Sequence, residues 1–381
     1  MTTPAIDLKL LFDRTVFLFG AGASVGAGCL TSKQMLASLS KEISDSVAAG
    51  GPRDFASIYN FVLQSLAYQV ALKGGSDSKI ADLCNIEDFV AVLRQILDRE
   101  YIVPPPLIGN WNNKITSWEV SNENVFSDFL NFTYDLLVTK WTRFDQGKAE
   151  ALMQPIRALI ELADNFTMRI FSLNYDLVLE SVFNNEHERL VDVGFSKQRW
   201  SGDFEHPDSP AKVNLYKLHG SVNWYFDKLD EEVKEEVPEG ERPLLVFGSG
   251  PKVQSYDPFL SLLSTFSDKL KSASLYVVIG YSFQDKYINN ILIQSLNSGE
   301  NKKMFVVDPA ITTDVLAFVE RVEKYQASRS MNEIVNLTRI SPDRVDILQD
   351  TAANFLDSYL SNAAMKLKEL LKSIEAGDNV F

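Results

Sequence analysis

The sequence predicts an α/β fold, in which a parallel sheet has helices on both faces and a large helical insertion follows the first βα unit. Three features indicate this fold. An unbroken apolar run from Val16 to Phe19 is typical of a strand buried on both faces, and it leads into a glycine cluster. The stretch 32–164 has helical periodicity and no long apolar strand run. The last third alternates apolar strand runs with helical stretches, as parallel sheets do.

The glycine cluster begins directly after the first predicted strand, which a short helix over 6–13 precedes. Gly20 and Gly22 let the backbone turn tightly and offer N–H groups to a ligand without a Cβ in the way. Together with a following helix N-terminus, such a turn favours a phosphate. The alternative is a glycine-rich turn without a ligand. The spacing also departs from the common dinucleotide fingerprint, because Val25 stands where the third glycine belongs and that glycine falls at Gly26.

Glycine and proline clusters divide the helical stretch, and we expect them to separate its helices. They are Gly50-Gly51-Pro52, Gly74-Gly75 and Pro104-Pro105-Pro106. The sequence therefore predicts two domains. Residues 1–30 and 165–381 form the sheet domain, and residues 31–164 form a helical insertion to which we assign a regulatory or oligomerisation role.

Strands and helices return after the insertion. The apolar pattern predicts a strand over 168–173, a helix over 176–184, an irregular stretch over 191–206, a strand over 212–218, a solvated acidic loop over 227–241 and a short strand over 244–247. Further on it predicts helices over 258–272, 285–296, 312–327 and 348–376, and strands over 275–279, 304–307 and 335–340. Ligands of open parallel sheets bind beyond the carboxyl ends of the strands, so polar residues there are the candidates for a site.

The composition limits the possible functions. The formal charge of −14 repels phosphate backbones, so we expect no direct nucleic-acid binding. No apolar run reaches the roughly 18 residues that span a membrane, and the first residues lack the features of a signal peptide. The two cysteines, Cys29 and Cys84, are too few for a four-cysteine metal site and favour a reducing compartment. We therefore expect a cytoplasmic protein.

Polar residues or glycines follow five of the predicted strands. They are Ser24 after the first, Asn174 and Asp176 after 168–173, His219 and Ser221 after 212–218, Gly280 and Ser282 after 275–279, and Asp308 after 304–307. Each has a structural alternative. Asn174 and Asp176 could cap the next helix, and His219 could have a structural role in the core. The segment 280–282 could be an ordinary loop, and Asp308, which precedes a proline, could begin a turn.

The motifs, in this order, resemble those of the sirtuin-like NAD-consuming proteins. The shared motifs are Gly20-Ala-Gly-Ala-Ser24, Asn174-Tyr-Asp176, Leu218-His-Gly-Ser221 and Gly280-Tyr-Ser-Phe283. The longer phrases 20–26, 172–177 and 217–221 are most similar to the bacterial antiphage-defence branch. The resemblance covers about residues 14–30 and 165–310, and it implies a Rossmann-like NAD-binding domain.

The resemblance also implies roles for individual residues. Gly20, Ala21, Gly22 and Ser24 would hold the diphosphate, and Gly280 and Ser282 would line its phosphate and ribose side. Asn174 would contact the nicotinamide-side ribose or an attacking water, and Asp176 would lie near the nicotinamide amide or hold its own loop. Asp308 would bind the adenosine ribose diol. His219 would be the catalytic base, and Ser221 of the same motif belongs to the NAD-binding set.

Two departures from the family's pattern bear on activity. Leu30-Thr-Ser-Lys33 stands where deacylating sirtuins have Pro-Asp-Phe-Arg, and no cysteine lies between His219 and Gly280, where those enzymes carry a zinc module. A structural zinc ion needs four nitrogen or sulfur ligands, so we expect no zinc. These departures make a deacylase's peptide cleft doubtful and leave the NAD pocket intact.

The resemblance implies an NAD+ hydrolase that releases nicotinamide and ADP-ribose and that serves antiphage defence. Two alternatives remain open, a non-catalytic sensor of NAD or ADP-ribose and an NAD-dependent protein deacylase. A DNA-binding scaffold is disfavoured by the charge of −14. NAD is then the substrate, and we expect a homo-oligomer whose activity is controlled by assembly or by a partner ATPase of the HerA-like type.

Overall fold

The structure, a computed structural model, describes residues 8–72, 84–99, 106–161, 166–185, 188–204, 211–248, 257–299, 301–309, 318 and 345–357. Its strands are β1 Thr15–Phe19, β2 Met168–Ser172, β3 Val191–Asp192, β4 Phe195–Ser196, β5 Arg199–Trp200, β6 Val213–Lys217, β7 Trp224–Asp227, β8 Glu232–Glu235, β9 Leu275–Ile279, β10 Lys303–Val307 and β11 Val345–Leu348. Its α-helices are α1 Leu8–Asp13, α2 Ser32–Ala48, α3 Asp54–Leu72, α4 Ile86–Leu97, α5 Trp111–Ser121, α6 Val125–Leu136, α7 Gln146–Glu161, α8 Val178–Phe183, α9 Phe259–Ser272, α10 Lys286–Leu296 and α11 Ala352–Phe355.

Seven strands form one parallel sheet in the order β11-β10-β9-β1-β2-β6-β3, with helices on both sides. The predicted fold class is therefore confirmed. Every residue of the central strand β1 is buried, as expected of a strand covered on both faces. From β1 the chain fills one side of the sheet with β2, β6 and β3, and then the other side with β9, β10 and β11. This change of direction puts the topological switch point at the carboxyl end of β1.

The chain divides into two compact units. The first comprises residues 1–29, 144–245 and 253–381, and the second comprises 30–143 and 246–252. These limits differ in two places from our expectation of an insertion over 31–164. The helix α7 belongs to the first unit, and residues 246–252 belong to the second. The apolar side chains of α7, among them Leu152 and Ile156, join the core that also holds the strands of the large sheet.

The second unit is helical in its described residues, as the periodicity predicts. Two of its helices begin at capping boxes: Thr31 forms one with Gln34 before α2, and Asn85 forms one with Asp88 before α4. Phe129 lies at the centre of its core and stacks on Phe55 with 4.6 Å between ring centroids. A π-helix, Leu137–Trp141, continues α6. Within the part of the chain that the structure describes, every helix is too short or too polar to cross a lipid bilayer.

Three predictions between β2 and β9 were wrong. The stretch 191–206 is not wholly irregular, because β3 pairs with β6 while β4 and β5 pair with each other. The acidic stretch 227–241 contains the hairpin strand β8, since Val233 is buried opposite Phe226 while the charged residues around it lie nearer solvent. The segment 244–247 makes one isolated bridge, Gly220 to Leu245, and no strand.

Predictions at the C-terminal end fall largely outside the described residues. The helix over 312–327 and the strand over 335–340 lie there, apart from Phe318, which is helical. The helix predicted from 348 begins later, because 345–348 forms the edge strand β11 and α11 starts at Ala352. Most of the remainder of that helix also lies outside the described residues.

The glycine turn after β1 packs directly against the backbone after β9. The turn continues as a short 3-10 helix, Ala21–Ala27, rather than an α-helix. Gly22 donates its N–H to the carbonyl of Gly280 at 2.9 Å. A Cβ on Gly22 would lie 2.7 Å from the Gly280 Cα, and one on Gly280 would lie 2.4 Å from the Ala23 nitrogen. Glycine is required on both sides of this contact, and Gly280 also has a φ of +63°.

Replacing Gly280 by alanine tests this contact. We expect Gly280→Ala to lower the free energy of unfolding by ~3 kcal/mol or more, because it combines a backbone clash with an unfavourable φ. Gly240→Ala is the matched control, since Gly240 has a φ of +84° but nothing within 4 Å of an added Cβ. Its cost is expected to be only ~1 kcal/mol. Urea unfolding measures both variants, and equal costs would show that the contact contributes nothing.

Candidate functional site

The glycine turn and the segment after β2 meet through two buried side chains. Asn174 donates a hydrogen bond from Nδ2 to Ser24 Oγ at 3.0 Å, across 150 positions of sequence. Both residues are buried, with exposed fractions of 8% and 4%. The amide oxygen of Asn174 has no hydrogen-bond partner among the described residues. Because buried polar atoms are nearly always paired, an unpaired amide oxygen at a sheet switch point indicates a place for a ligand or water.

His219, in the segment after β6, forms a buried pair with a residue that the sequence reading had not selected. Its Nε2 lies 3.1 Å from Oδ2 of Asp285, and both side chains are 6% exposed. Asp285 caps α10 with its other oxygen, which accepts from the N–H groups of Tyr287 and Ile288 at 2.8 and 3.2 Å. One carboxylate thus connects the imidazole to the start of a helix.

Contacts between successive segments close a ring at the carboxyl ends of the strands. Ser24 contacts Asn174, and the neighbouring Tyr175 ring lies 6.4 Å from the His219 ring between centroids. His219 contacts Asp285, and Gly280 of the same loop accepts the hydrogen bond from the glycine turn. The structure therefore brings together the glycine turn and the segments after β2, β6 and β9. The sequence analysis predicted this convergence from the position of these motifs at the ends of predicted parallel strands and from the family resemblance.

Gly20 and Gly22 do not offer their N–H groups to a ligand as we expected. The N–H of Gly20 donates to the carbonyl of Ile279 and that of Gly22 to the carbonyl of Gly280, both at 2.9 Å. The space that their missing Cβ atoms leave is filled by the backbone at 280–281. These glycines can line a ligand only through other atoms, since their donors are used to join β1 to β9.

Asp176 has partners in the protein for its side chain. Its Oδ1 accepts from the N–H of Val178 at 3.1 Å, so Asp176 caps α8, which was the structural alternative given in the sequence analysis. Its carboxylate also accepts a hydrogen bond from the Cys29 thiol. Lys217, 1% exposed, donates to the Asp176 carbonyl at 2.5 Å and to Glu180 Oε1 at 2.9 Å. The predicted role of holding the loop fits these contacts better than the predicted contact with a nicotinamide amide.

The remaining predicted residues differ in how well a ligand could reach them. Ser221 is fully buried, and its hydroxyl has no hydrogen-bond partner among the described residues. Ala21 is half-buried in the glycine turn, and Ser282 is exposed. Asp308 follows β10, is half-buried and donates its N–H to the carbonyl of Leu348 at 3.1 Å. All four lie at the carboxyl-end edge of the sheet, as predicted.

The sequence reading missed Asp285 and its supporting side chains. Tyr281 donates its hydroxyl to Asn289 Oδ1 at 2.8 Å and to the Asp285 carbonyl at 3.1 Å, and Asn289 Nδ2 donates to the Phe283 carbonyl at 2.7 Å. The available signal was an aspartate at the start of a predicted helix. That signal indicates a cap and contains no information about the histidine 66 residues earlier. Among the described residues, no three His, Cys, Asp or Glu side chains form a metal-binding group.

The fold and site define a doubly wound α/β protein with a cluster of buried polar side chains at the switch point of its sheet. Residues 168–330 match the family model described as SIR2-like domain. It is also similar to a solved complex of a mutant Sir2 homologue with ADP-ribose (13% identity, 95% of this chain and 97% of that chain, TM-score 0.43). A solved complex of a Sir2 homologue with NAD is similar to this chain at 12% identity, over 95% of this chain and 96% of that chain, with a TM-score of 0.41. A search of curated proteins found no match.

Cys29 provides a test of the buried contacts around Asp176. Burial raises the pKa of the Cys29 thiol, and the charge and hydrogen bond of Asp176 raise it further, while Lys217 lowers it. The thiolate is the reactive form, so we expect iodoacetamide at pH 8 to modify native Cys29 more than about tenfold more slowly than an ordinary thiol.

Mass spectrometry of the peptide that contains Cys29 measures this rate, and denatured protein supplies the fully reactive reference. Leu229→Cys is the control for the native protein, because residue 229 is 95% exposed. Modification of Cys29 at the rate of residue 229 would contradict the described burial.

Proposed function

We propose that this protein is an NAD+ hydrolase that cleaves the bond between nicotinamide and ribose and releases nicotinamide and ADP-ribose. The observation that carries the proposal is the buried pair of His219 and Asp285, together with Asn174 at a neighbouring strand end, whose amide oxygen has no hydrogen-bond partner among the described residues. A binding protein needs neither a base with a fixed orientation nor an amide available to hold water. The SIR2-like domain match over 168–330 supports NAD as the ligand.

The orientation of the imidazole follows from its partner. An ionised carboxylate only accepts hydrogen bonds, so Nε2 of His219 carries the proton that Asp285 accepts. The other ring nitrogen, Nδ1, then has a lone pair and is the atom that would take a proton from substrate or water. The same pairing compensates the positive charge that the ring gains when it accepts that proton. His219 is thus suited to act as a general base.

The reaction needs little help at its leaving group. Nicotinamide departs as a neutral ring with the electrons of the broken C1′–N bond, and positive charge develops on the ribose, as in glycoside hydrolysis. Water then forms the new C1′–O bond and loses a proton, which His219 accepts directly or through a ribose hydroxyl before it passes to solvent. The unpaired oxygen of Asn174 would accept a hydrogen bond from that water or from the ribose. The buried hydroxyl of Ser221 is a second group for the substrate.

Two alternative functions, a protein deacylase and a non-catalytic sensor, can be distinguished from the hydrolase by specific features. A protein deacylase would need a cleft for a peptide, and the sequence has neither the Pro-Asp-Phe-Arg segment nor cysteines between 219 and 280. A sensor would bind NAD or ADP-ribose without consuming it. Incubation with acetylated peptide and NAD tests the first, and release of nicotinamide from NAD alone separates the hydrolase from the sensor.

Control of the activity is the second part of the proposal. An unregulated NAD hydrolase would deplete its host, so an off state is required. We assign it to the helical insertion and to assembly into a homo-oligomer, with a HerA-like ATPase as the partner that the resemblance to antiphage-defence proteins implies. Gel filtration of the protein alone and with the ATPase, with turnover measured on each fraction, tests this assignment. Equal turnover in every state would contradict it.

Substitution of the two proposed catalytic groups tests the hydrolase. General-base catalysis contributes about 10²–10⁴-fold, so His219→Ala is expected to reduce nicotinamide release by that factor. Asn174→Ala is expected to reduce it similarly, since the substitution removes the amide that would position water. Chromatography of nicotinamide and ADP-ribose measures both.

The control for these variants is Asn113→Ala, which removes an exposed amide in α5. It is expected to retain full turnover, and thermal melting shows whether each variant is folded. A folded His219→Ala protein that consumes NAD at the wild-type rate would refute the assignment of the base.

A further inference from the structure

We propose that Asp285 is the positioning residue for His219, which it holds in one orientation and one tautomer for proton transfer. The inference rests on the proposed hydrolase, because it concerns the same site. It deepens that proposal by making activity depend on Asp285, a residue that none of the sequence motifs includes. The one carboxylate joins the helix α10 to the imidazole.

The two oxygens of Asp285 have different partners. Oδ1 accepts from the N–H groups of Tyr287 and Ile288, which is the whole task of a helix N-cap. Serine or asparagine performs that task about equally well. Oδ2 lies 3.1 Å from His219 Nε2, and capping does not account for it. A carboxylate at this position therefore has a second role, which only its second oxygen can perform.

The loop that carries Asp285 is held on both sides. The Tyr281 hydroxyl contacts the Asp285 carbonyl and the Asn289 amide, and Asn289 in turn donates to the Phe283 carbonyl. Phe283 adopts a φ of +56°, a conformation that a bulky residue takes only when its surroundings impose it. Because the helix and the loop both fix Asp285, its Oδ2 presents a stationary acceptor to the imidazole.

This arrangement has a chemical consequence for the histidine. Both groups are buried, so neither exchanges its partner readily for water. With the carboxylate on Nε2, the ring carries its proton there and Nδ1 keeps its lone pair. With a neutral partner in place of the carboxylate, the opposite tautomer becomes available, and Nδ1 then carries a proton and cannot accept one. The analogous change in serine proteases costs about 10⁴-fold in kcat.

Asp285→Asn separates the positioning role from the cap. Asparagine retains an oxygen for the N–H groups of α10, so the melting temperature is expected to stay near that of the wild type. The kcat for nicotinamide release is expected to fall by about 10²–10⁴-fold, with the KM for NAD little changed. Asp285→Ser, which also caps, is expected to lose activity in the same way.

The matched control is Asp145→Asn, in which an exposed aspartate that accepts from the Lys148 N–H at the start of α7 receives the same substitution. Full turnover by Asp145→Asn is the expected result. If Asp285→Asn is folded and turns over at the wild-type rate, the inference is overturned.

Two further readouts identify the cause of the loss. Imidazole nitrogen NMR of the free protein is expected to show the Nε2–H tautomer of His219 in the wild type and the Nδ1–H tautomer in Asp285→Asn. The double variant with His219→Ala is expected to be no slower than His219→Ala alone, because positioning has no value without the base. Additive losses, or an unchanged tautomer, would overturn the inference. Absence of nicotinamide release by the wild type, both alone and with the ATPase, would instead refute the proposed hydrolase, and the NMR measurement would still decide the tautomer.

Discussion

The close approach of two backbone segments, the glycine turn after β1 and the loop after β9, is the constraint on which the site depends. Gly22 and Gly280 meet without a side chain between them, and their hydrogen bond joins segments that are 258 positions apart in the chain. This contact fixes Ser24 on one side, where it receives the Asn174 amide. On the other side it fixes the start of the loop that delivers Asp285 to His219. The polar side chains of the site are thus positioned by a contact between two backbone segments that contributes no functional side chain of its own.

The sequence predicted the sheet well because its strands are short, apolar and buried. Strands β1, β2, β6, β9 and β10 were predicted within one or two residues of their ends. A central parallel strand has no polar face, so its signal in the sequence is strong. The errors fell where the signal is weak. Strands β3, β4 and β5 are two residues long, and β8 has a single buried residue, Val233, among charges.

The site was predictable in outline and not in detail. Motif order located Ser24, Asn174 and His219 at strand ends, because parallel strands bring their carboxyl ends to one edge. The N–H groups of Gly20 and Gly22 were wrongly assigned to a ligand. A glycine in the sequence does not reveal that another backbone segment occupies the space beside it. Asp285 was missed for a related reason. A helix cap is a local feature, whereas its second contact joins residues far apart in sequence.

The pairing of β1 with β9 has a consequence for biosynthesis. Thr15 lies opposite Leu275, so the second strand of the chain's central pair leaves the ribosome some 260 residues after the first. Native contacts at such separation form late, since the entropy of closing the loop must be paid before they stabilise anything. A nascent chain shorter than about 285 residues has no Gly280 loop beside its glycine turn. Incomplete translation products therefore lack the candidate site, which forms only once most of the polypeptide has been made.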